Sequence, residues 1–193
     1  KQSSWLLLSG VAAIVYLRID QEMLGLMIDE RSVGIYAAAV KFSEVWYFLP
    51  AALVTSHFPL LLSKKENDQQ AYMMELQRLN DILFGAALSL AILVSASAGY
   101  LIPLILGADY ADAINVLVIH VWCGIFVFMR ALLSKWLIAE NLLSLSLLSQ
   151  LAGAFVNVVL NAYLIPIYGV LGAAYATVLS YFVAGYFVLL FHK

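Results

Sequence analysis

Six apolar stretches, each about as long as a membrane helix, constrain this 193-residue chain more than any other feature. The hydrocarbon core of a bilayer is roughly 30 Å thick, and a helix needs about 20 apolar residues to cross it. The stretches are approximately Ser4–Ile28, Gly34–Leu62, Ile82–Leu106, Ala113–Ile138, Leu142–Ile165 and Val170–Phe191. Because lipid leaves no backbone polar group hydrated, the sequence predicts an all-α polytopic membrane protein, a six-transmembrane-helix bundle.

Composition agrees with this fold class and excludes several functions. Hydrophobic residues make up 64% of the chain and charged residues 11%, against about half and about a quarter in soluble domains. The net charge of -2 provides no basic surface for nucleic acid. Cys123 stands alone, and His57 and His120 have no further ligand at metal-binding spacing, so we expect neither a metal site nor a cofactor. The sequence also lacks a phosphate loop, a nucleophile elbow and a zinc-protease motif, which favours a protein that is not an enzyme.

The ends of the chain and its basic residues predict its organisation. The sequence begins at Lys1 without Met and enters an apolar run at once, so we expect residues 1–193 to be a fragment, a single six-helix membrane lobe. Basic residues near span ends are retained in the cytoplasm. One side of a six-span zigzag has only Arg31, and we therefore predict that both ends are cytoplasmic, on the side that carries Lys1, Lys64, Lys65, Arg78, Lys135 and Lys193.

The long connection at residues 63–81 has two interpretations. Its apolar residues recur at helical spacing against polar ones, which is typical of an amphipathic helix in the cytoplasmic membrane interface. The same pattern fits a simple N-terminal extension of the third span.

Charged residues within the first two spans are the strongest functional signal. They are Arg18, Asp20, Glu22, Lys41 and Glu44. An ionisable group at the bilayer centre costs from roughly 2.5 to more than 10 kcal/mol, so it normally faces a cavity, a partner or a substrate.

The arrangement of these charges is compatible with two structural roles. Arg18 and Glu22 share one helical face, and Asp20 lies about 160° away from Arg18. Glu22 and Lys41 lie at about the same depth if the two helices are antiparallel. The charges therefore either line one level of a cavity or neutralise each other as the pairs Arg18–Glu22 and Lys41–Glu44.

Polar residues on later spans add further candidates. Arg130 either lines the cavity or extends its side chain toward the membrane interface. Gln150, Asn157 and Asn161 share one face of the fifth span, which fits either a hydrophilic cavity wall or hydrogen bonding between packed helices. On the sixth span, small residues at Gly172, Ala176 and Ser180 predict a packing face.

Two parts of the chain resemble a known transporter family. The first is the run from Tyr16 to Gln21, continued by Val33 to Ala39 and Glu44 to Trp46. The second runs from Leu160 to Thr177 and contains Asn161, Ile165-Pro166, Tyr168-Gly169 and Gly172-Ala173-Ala174. The first resembles the start of the C-terminal half of O-antigen and polysaccharide flippases. The second resembles a sequence that recurs in the superfamily to which they belong, the multidrug, oligosaccharidyl-lipid and polysaccharide exporters.

The resemblance implies one lobe of a two-lobe transporter, whose N-terminal lobe would be the partner of this chain. The cargo would be an oligosaccharide linked through pyrophosphate to a polyprenyl lipid, moved by alternating access across a bacterial inner membrane in O-antigen or lipopolysaccharide biosynthesis. The pyrophosphate and sugar would be bound by Arg18, Lys41, Arg130, Gln150, Asn157 and Asn161. Counter-ions, or the binding site for a coupling H⁺ or Na⁺, would be Asp20, Glu22 and Glu44.

Other functions stay open from the sequence. A drug or cation antiporter and a peptidoglycan-precursor flippase belong to the same superfamily. A membrane-embedded glycosyltransferase or polymerase would use Asp20 or Glu22 as base, but the chain has no large polar loop to hold a sugar. A non-transporting assembly protein predicts that all intramembrane charges are paired internally.

Overall fold

The computed structural model describes residues 18–186 and consists of helices joined by short turns. Helix α1 covers residues 18–27 of the described chain. The others are α2 (Glu30–Glu44), α3 (Phe48–Asn67), α4 (Gln69–Leu106), α5 (Ala113–His120), α6 (Cys123–Ala139), α7 (Leu143–Tyr168) and α8 (Val170–Tyr186), with a short 3-10 turn at Ala108–Tyr110. Most of the predicted first span, the end of the sixth, Lys1 and Lys193 lie outside the described residues.

The predicted class of helical membrane protein is confirmed. Within residues 18–186, four helical stretches are long and apolar enough to cross a membrane, and α8 is a shorter apolar helix. The stretches are Glu30–Asn67, Gln69–Leu106, Ala113–Ala139 and Leu143–Tyr168. Large apolar side chains on the outside of the bundle, such as Phe155 on α7, suit contact with lipid or with another membrane segment.

Two of the predicted spans are interrupted. The second consists of α2 and α3, separated at residues 45–47, where Tyr47 N–H donates to the Glu44 carbonyl over three residues. Pro50 fits this break, because it has no N–H to donate and its ring clashes with the carbonyl four residues earlier in a continuous helix, whereas the first turn of a new helix accommodates it. The fourth span is divided into α5 and α6 at residues 121–122. There Trp122 N–H donates to the Ile119 carbonyl, three residues earlier instead of four.

The turns group into two ends of the bundle. We call the end formed by residues 28–29, 107–112 and 169 the Asp29 end, and the end formed by residues 68 and 140–142 the Asp68 end. The two aspartates cap the helices that follow them: Asp29 accepts from Ser32 N–H at 2.7 Å, and Asp68 accepts from Ala71 N–H at 2.9 Å. The bond from Ser32 holds the pKa of the Asp29 carboxyl below its usual value.

Residues 63–81 do not form a separate helix in this structure. Residues 63–67 complete α3, and residues 69–81 are the first turns of the 38-residue helix α4. The geometry is therefore that of the N-terminal extension, and its position at the membrane interface stays a prediction. Lys64 pairs with Glu75 at 2.7 Å and Lys65 with Glu140 at 2.9 Å, which ties α3 to α4 and to the α6–α7 turn.

Candidate functional site

Asp20 is the centre of a buried polar cluster where four helices meet. Its carboxyl group on α1 is 4% exposed. Tyr36 Oη on α2 donates to Oδ2 at 3.0 Å, and Thr177 Oγ1 on α8 donates to the same oxygen at 2.7 Å. Asn161 Nδ2 on α7 donates to Oδ1 at 2.5 Å. A single side chain of α1 thus touches α2, α7 and α8.

The cluster continues along the interface between α7 and α8. Asn161 Nδ2 also donates to Asn157 Oδ1 at 3.0 Å, and Asn157 Nδ2 donates to Ser180 Oγ at 3.2 Å. Both asparagines are fully buried. Asn161 Oδ1, however, is buried without a hydrogen-bond partner among the described residues. Buried acceptors of this kind are rare, and they often mark a place where an ion or water binds.

The hydrogen-bond partners of Asp20 are neutral. Within residues 18–186 the ion pairs are those of Lys64 and Lys65 at the Asp68 end, and Asp20 belongs to neither. A buried carboxylate is ordinarily paired with a cation or coordinates one, because desolvation of a lone charge costs several kcal/mol. The cluster can therefore accept a proton or a small cation at Asp20.

A second layer of contacts holds the Tyr36 ring in place. The ring packs edge-on against His120 of α5, with ring centroids 5.9 Å apart. His120 is buried, and its Nδ1 lies 2.6 Å from Ser43 Oγ on α2. These contacts place α2 against α5, and the packing of these two helices aims the hydroxyl of Tyr36 at Asp20.

The remaining predicted charges of the first two spans lie on a different face from Asp20. Arg18, Glu22 and Lys41 are exposed, and Glu44 is half-buried. This separation of Asp20 from Arg18 and Glu22 follows the helical angle predicted from the sequence. Neither predicted internal pair, Arg18–Glu22 or Lys41–Glu44, is among the ion pairs of the described chain. Arg18 lies close enough to Glu44 to interact with it electrostatically instead.

The predicted polar face on the fifth span divides between two places. Asn157 and Asn161 belong to the Asp20 cluster, and their complete burial selects hydrogen bonding between helices over a cavity wall in this structure. Gln150 is half-buried and donates to the Ser146 carbonyl one turn earlier, at 3.3 Å. It lies apart from Asp20.

Arg130 binds α7 and α8 rather than extending to the membrane interface. Its guanidinium donates to Ser149 Oγ at 2.9 Å, to Ser146 Oγ at 3.0 Å and to the Ala184 carbonyl at 3.2 Å. It also lines a cleft of about 270 Å³ together with Gln77 and other side chains of α4, α6 and α8. The side chain thus lines a cleft among α4, α6 and α8, and its place in a cavity that binds cargo stays a prediction.

Two members of the cluster were not singled out from the sequence. Tyr36 lies in the run from Val33 to Ala39, which was noted only for its resemblance to the family. Thr177 lies beside the small residues of the predicted packing face. That face is confirmed, because Gly172, Ala176 and Ser180 are all buried. The available signal was the hydroxyl of Thr177, three positions before that of Ser180, on a helical stripe of otherwise small and apolar residues; packing alone does not require such a hydroxyl.

Comparison with known proteins identifies the family. Residues 1–115 match the family described as polysaccharide biosynthesis protein. Two curated relatives from Haloferax volcanii are similar to most of the chain: a probable low-salt glycan biosynthesis flippase, Agl15, with 22% identity over 93% of this chain, and a probable flippase, AglR, with 27% identity over 90%. The chain spans 38% and 37% of the lengths of these relatives.

Solved structures agree on the fold. A multidrug resistance transporter of the MATE family, in the MOP superfamily, superposes with a TM-score of 0.82 at 16% identity, over 96% of this chain and 42% of that one. A MOP-superfamily transporter from Pyrococcus furiosus Vc1 superposes with a TM-score of 0.80 at 17% identity, with the same coverage of 96% and 42%. The chain has the fold of part of such a transporter, and by its sequence match it belongs to the polysaccharide biosynthesis protein family.

Proposed function

We propose that this chain is the second six-helix lobe of a flippase that moves a polyprenyl-pyrophosphate-linked oligosaccharide across the membrane by alternating access. Uptake of H⁺ or Na⁺ at Asp20 drives the movement. The similarity to proteins named as probable flippases supports the class of activity. The observation that carries the mechanism is the Asp20 cluster, a buried carboxylate with neutral partners from three other helices.

The hydroxyl groups of the cluster make it responsive to the ion. Thr177 Oγ1 lies 2.7 Å from Asp20 Oδ2 and 2.9 Å from the Ala173 carbonyl, yet it has one proton to donate. Tyr36 Oη, within 2.9 Å of Thr177 Oγ1, has the same choice between two acceptors. A proton or cation on Asp20 removes the need for these donors, so both hydroxyls can turn to their other partners. Ion binding thereby changes how strongly α1 is held to α2 and α8.

The cation could be held by oxygen atoms already in place. Carboxylate, hydroxyl and amide oxygens are the ligands that hard cations prefer. Asp20, Thr177 and the unpartnered Asn161 Oδ1 supply one of each. Asn157 and Asn161 are accordingly proposed as part of the coupling site rather than as sugar ligands.

The exposed face of α1 and α2 is proposed to contact the cargo and the N-terminal lobe. Lipid does not cover ionised side chains without a large cost, so the face that exposes Arg18, Glu22 and Lys41 needs protein or water beside it. Arg18 and Lys41 would bind the pyrophosphate, and Glu22 and Glu44 would be their counter-ions when the cargo is absent. Arg130 and Gln150 stay further proposed ligands of the cargo.

Other functions fit the structure less well. An assembly protein without transport predicted complete internal pairing, whereas Arg18, Glu22 and Lys41 are exposed and outside the ion pairs found within residues 18–186. A drug antiporter and a peptidoglycan-precursor flippase are alternatives within the superfamily. O-antigen cargo in a bacterial inner membrane stays a prediction, since Agl15 and AglR are archaeal proteins.

The test is export by the full-length protein in a strain that lacks its own flippase, with surface glycan as the readout. The wild-type protein should restore surface glycan. Asp20→Asn keeps the shape of the carboxyl group but cannot bind a proton or neutralise a cation, so we expect export to fall at least tenfold at normal membrane levels. Failure of the wild-type protein to restore any glycan would contradict the flippase assignment.

Glu66→Gln is the matched control, because Glu66 is an exposed carboxylate near the Asp68 end. It should export as the wild type does. Wild-type export by Asp20→Asn as well would show that Asp20 is not the coupling residue.

A further inference from the structure

We infer that the Asp29 end carries a saccharide-binding cleft, built around Arg31, Asp109 and Tyr110, that receives the sugar part of the cargo. This inference rests on the proposed function. The cleft has a volume of about 580 Å³ and is lined by Glu30, Arg31, Gly34, Ile35, Asp109 and Tyr110. A second cleft of about 380 Å³ shares Arg31 and Ile35 and extends toward Asp112, Asn115 and Tyr168.

The cleft continues the charged face of α2. Glu30 and Lys41 are eleven residues apart and Gly34 and Lys41 are seven apart, so all three point within about 20° to 40° of one another on the helix. All three are exposed. The distance along α2 from Lys41 to Glu30 is about 16 Å, at about 1.5 Å per residue. A cargo whose pyrophosphate lies at Lys41 therefore has its sugars beside the cleft.

Small residues of α2 lie between these two points. A Cβ added at Gly34 would meet no atom within 4 Å. Ala37 and Ala38, one turn further along, present only methyl groups on the same side of α2. A polar chain can lie against this strip of the helix without displacing a large side chain.

The polar groups of the cleft have unused hydrogen-bonding capacity. Within the part of the chain that the structure describes, Arg31, Asp109, Asp112 and Asn115 make no side-chain hydrogen bond or ion pair. At the Asp68 end, by contrast, Lys64 is paired with Glu75 and Lys65 with Glu140. Carboxylates and a guanidinium provide acceptors and donors for sugar hydroxyls, and the half-exposed rings of tyrosines provide flat faces for the sugar ring.

The net negative charge of the Asp29 end favours binding of the sugar part of the cargo over binding of the pyrophosphate. The Asp29 end has four carboxylates, those of Asp29, Glu30, Asp109 and Asp112, and one guanidinium, that of Arg31. An excess of negative charge repels an anionic linker but accepts the hydroxyl donors of a neutral glycan. These carboxylates are not grouped closely enough to hold a metal ion, since no such group occurs among the described residues.

The experiment measures binding to the purified full-length transporter in nanodiscs by calorimetry. One probe is the oligosaccharide released by mild acid from the lipid-linked glycan of the host cell, and the other is inorganic pyrophosphate. The double variant Asp109→Asn/Tyr110→Ala should bind the released oligosaccharide at least tenfold more weakly and bind pyrophosphate as the wild type does. The control variant Glu66→Gln/Tyr100→Ala, at exposed positions away from the cleft, should leave both affinities unchanged.

Gly34→Leu provides a second test, in which a side chain is added beside the cleft and every side chain that could contact the sugar is kept. The position has room for a side chain, so we expect the same melting temperature as the wild type, together with at least tenfold weaker oligosaccharide binding. Gly99→Leu on α4, where an added Cβ also meets no atom within 4 Å, should have no effect.

Wild-type affinity for the released oligosaccharide in both cleft variants would overturn the inference, and it would leave the flippase proposal standing if the wild-type protein restores surface glycan. Reduced export with unchanged oligosaccharide binding would also overturn it, because the cleft would then be a contact between the two lobes. The flippase proposal is tested separately, by whether the wild-type protein restores surface glycan in the flippase-deficient strain.

Discussion

At the scale of single residues, the most consequential feature of this chain is the direction in which the charged side chains of α1 point. Asp20 points into the bundle, and Arg18 and Glu22, two positions away on either side, point out of it. The cost of burying a carboxylate is offset by three donors in place, from Tyr36, Asn161 and Thr177. Because those donors belong to three helices, a change of charge at Asp20 alters hydrogen bonds to α2, α7 and α8 together.

Tyr36→Phe tests this coupling directly. The substitution keeps the ring against His120 and removes the hydroxyl that donates to Asp20. We expect a loss of about 1–3 kcal/mol in stability, the usual cost of leaving a buried acceptor short of a partner. We also expect the concentration of H⁺ or Na⁺ that gives half-maximal transport to shift at least threefold, measured in vesicles with the full-length protein.

The ion dependence is the decisive readout for Tyr36, since a purely structural tyrosine would lower stability alone. Tyr100→Phe, at a position that is 71% exposed, is the control and should change neither quantity. A Tyr36→Phe protein with normal ion dependence would remove Tyr36 from the coupling site.

Lys41 is the residue on which binding of the pyrophosphate is most simply tested. It is exposed, so its substitution should leave folding intact. Lys41→Gln should reduce export at least tenfold because it removes a cation that would bind the anion, whereas Lys41→Arg should retain most of it. The measurement is surface glycan at equal protein levels in the flippase-deficient strain.

Arg78→Gln removes an exposed cation of α4 and should be without effect. Equal export by Lys41→Gln and Lys41→Arg would mean that the charge at this position does not contact the cargo.

At the scale of helices, α7 and α8 form the most closely packed pair. A Cβ at Gly153 would lie 2.6 Å from Ala184 Cβ and 3.2 Å from the Ser180 carbonyl oxygen. A Cβ at Gly172 would collide with the backbone at Leu164. Small residues thus allow the two backbones to approach, and this approach brings Asn157 within reach of Ser180.

Gly153→Val is therefore expected to force α7 and α8 apart. Overpacking of a tight contact costs about 1–3 kcal/mol, so the melting temperature of the purified full-length protein should fall by several degrees. Gly85→Val is the matched control, because it places the same residue type within a helix where an added Cβ meets no atom within 4 Å. An equal fall for both variants would attribute the effect to helix propensity rather than to packing.

The helix breaks show how far local sequence signals extend. Asp29 and Asp68 cap helices that begin at Glu30 and Gln69, because a capping side chain acts within three residues. The predicted spans begin later, at Gly34 and Ile82, because they follow the apolar runs alone. The break at residues 45–47 was not predicted, although Pro50 lies just after it, because a proline within an apolar run is compatible with either a kink or a new helix. The break at residues 121–122 has no comparable residue to mark it.

At the scale of the whole molecule, the two ends of the bundle differ in how their charges are used. At the Asp68 end, Lys64 and Lys65 link three helices and stabilise that half of the bundle. At the Asp29 end, Arg31 and the nearby carboxylates line open clefts. The described part of the chain therefore has ion pairs between its helices at the Asp68 end and open clefts at the Asp29 end.

The sequence by itself determined the fold class, most helix positions and the family, because these depend on the length of apolar runs, on turn residues and on motifs that are local in the chain. It also placed Asp20 on a different helical face from Arg18 and Glu22. Only the tertiary structure decided which residues meet at Asp20: Thr177 is 157 positions away and Asn161 is 141. No local pattern encodes such a contact, because it depends on the register and approach of four packed helices. The same packing placed Arg130 against α7 and α8. It also buried Asn157 and Asn161 in the Asp20 cluster, which is the hydrogen-bonding alternative of the two that their shared helical face left open.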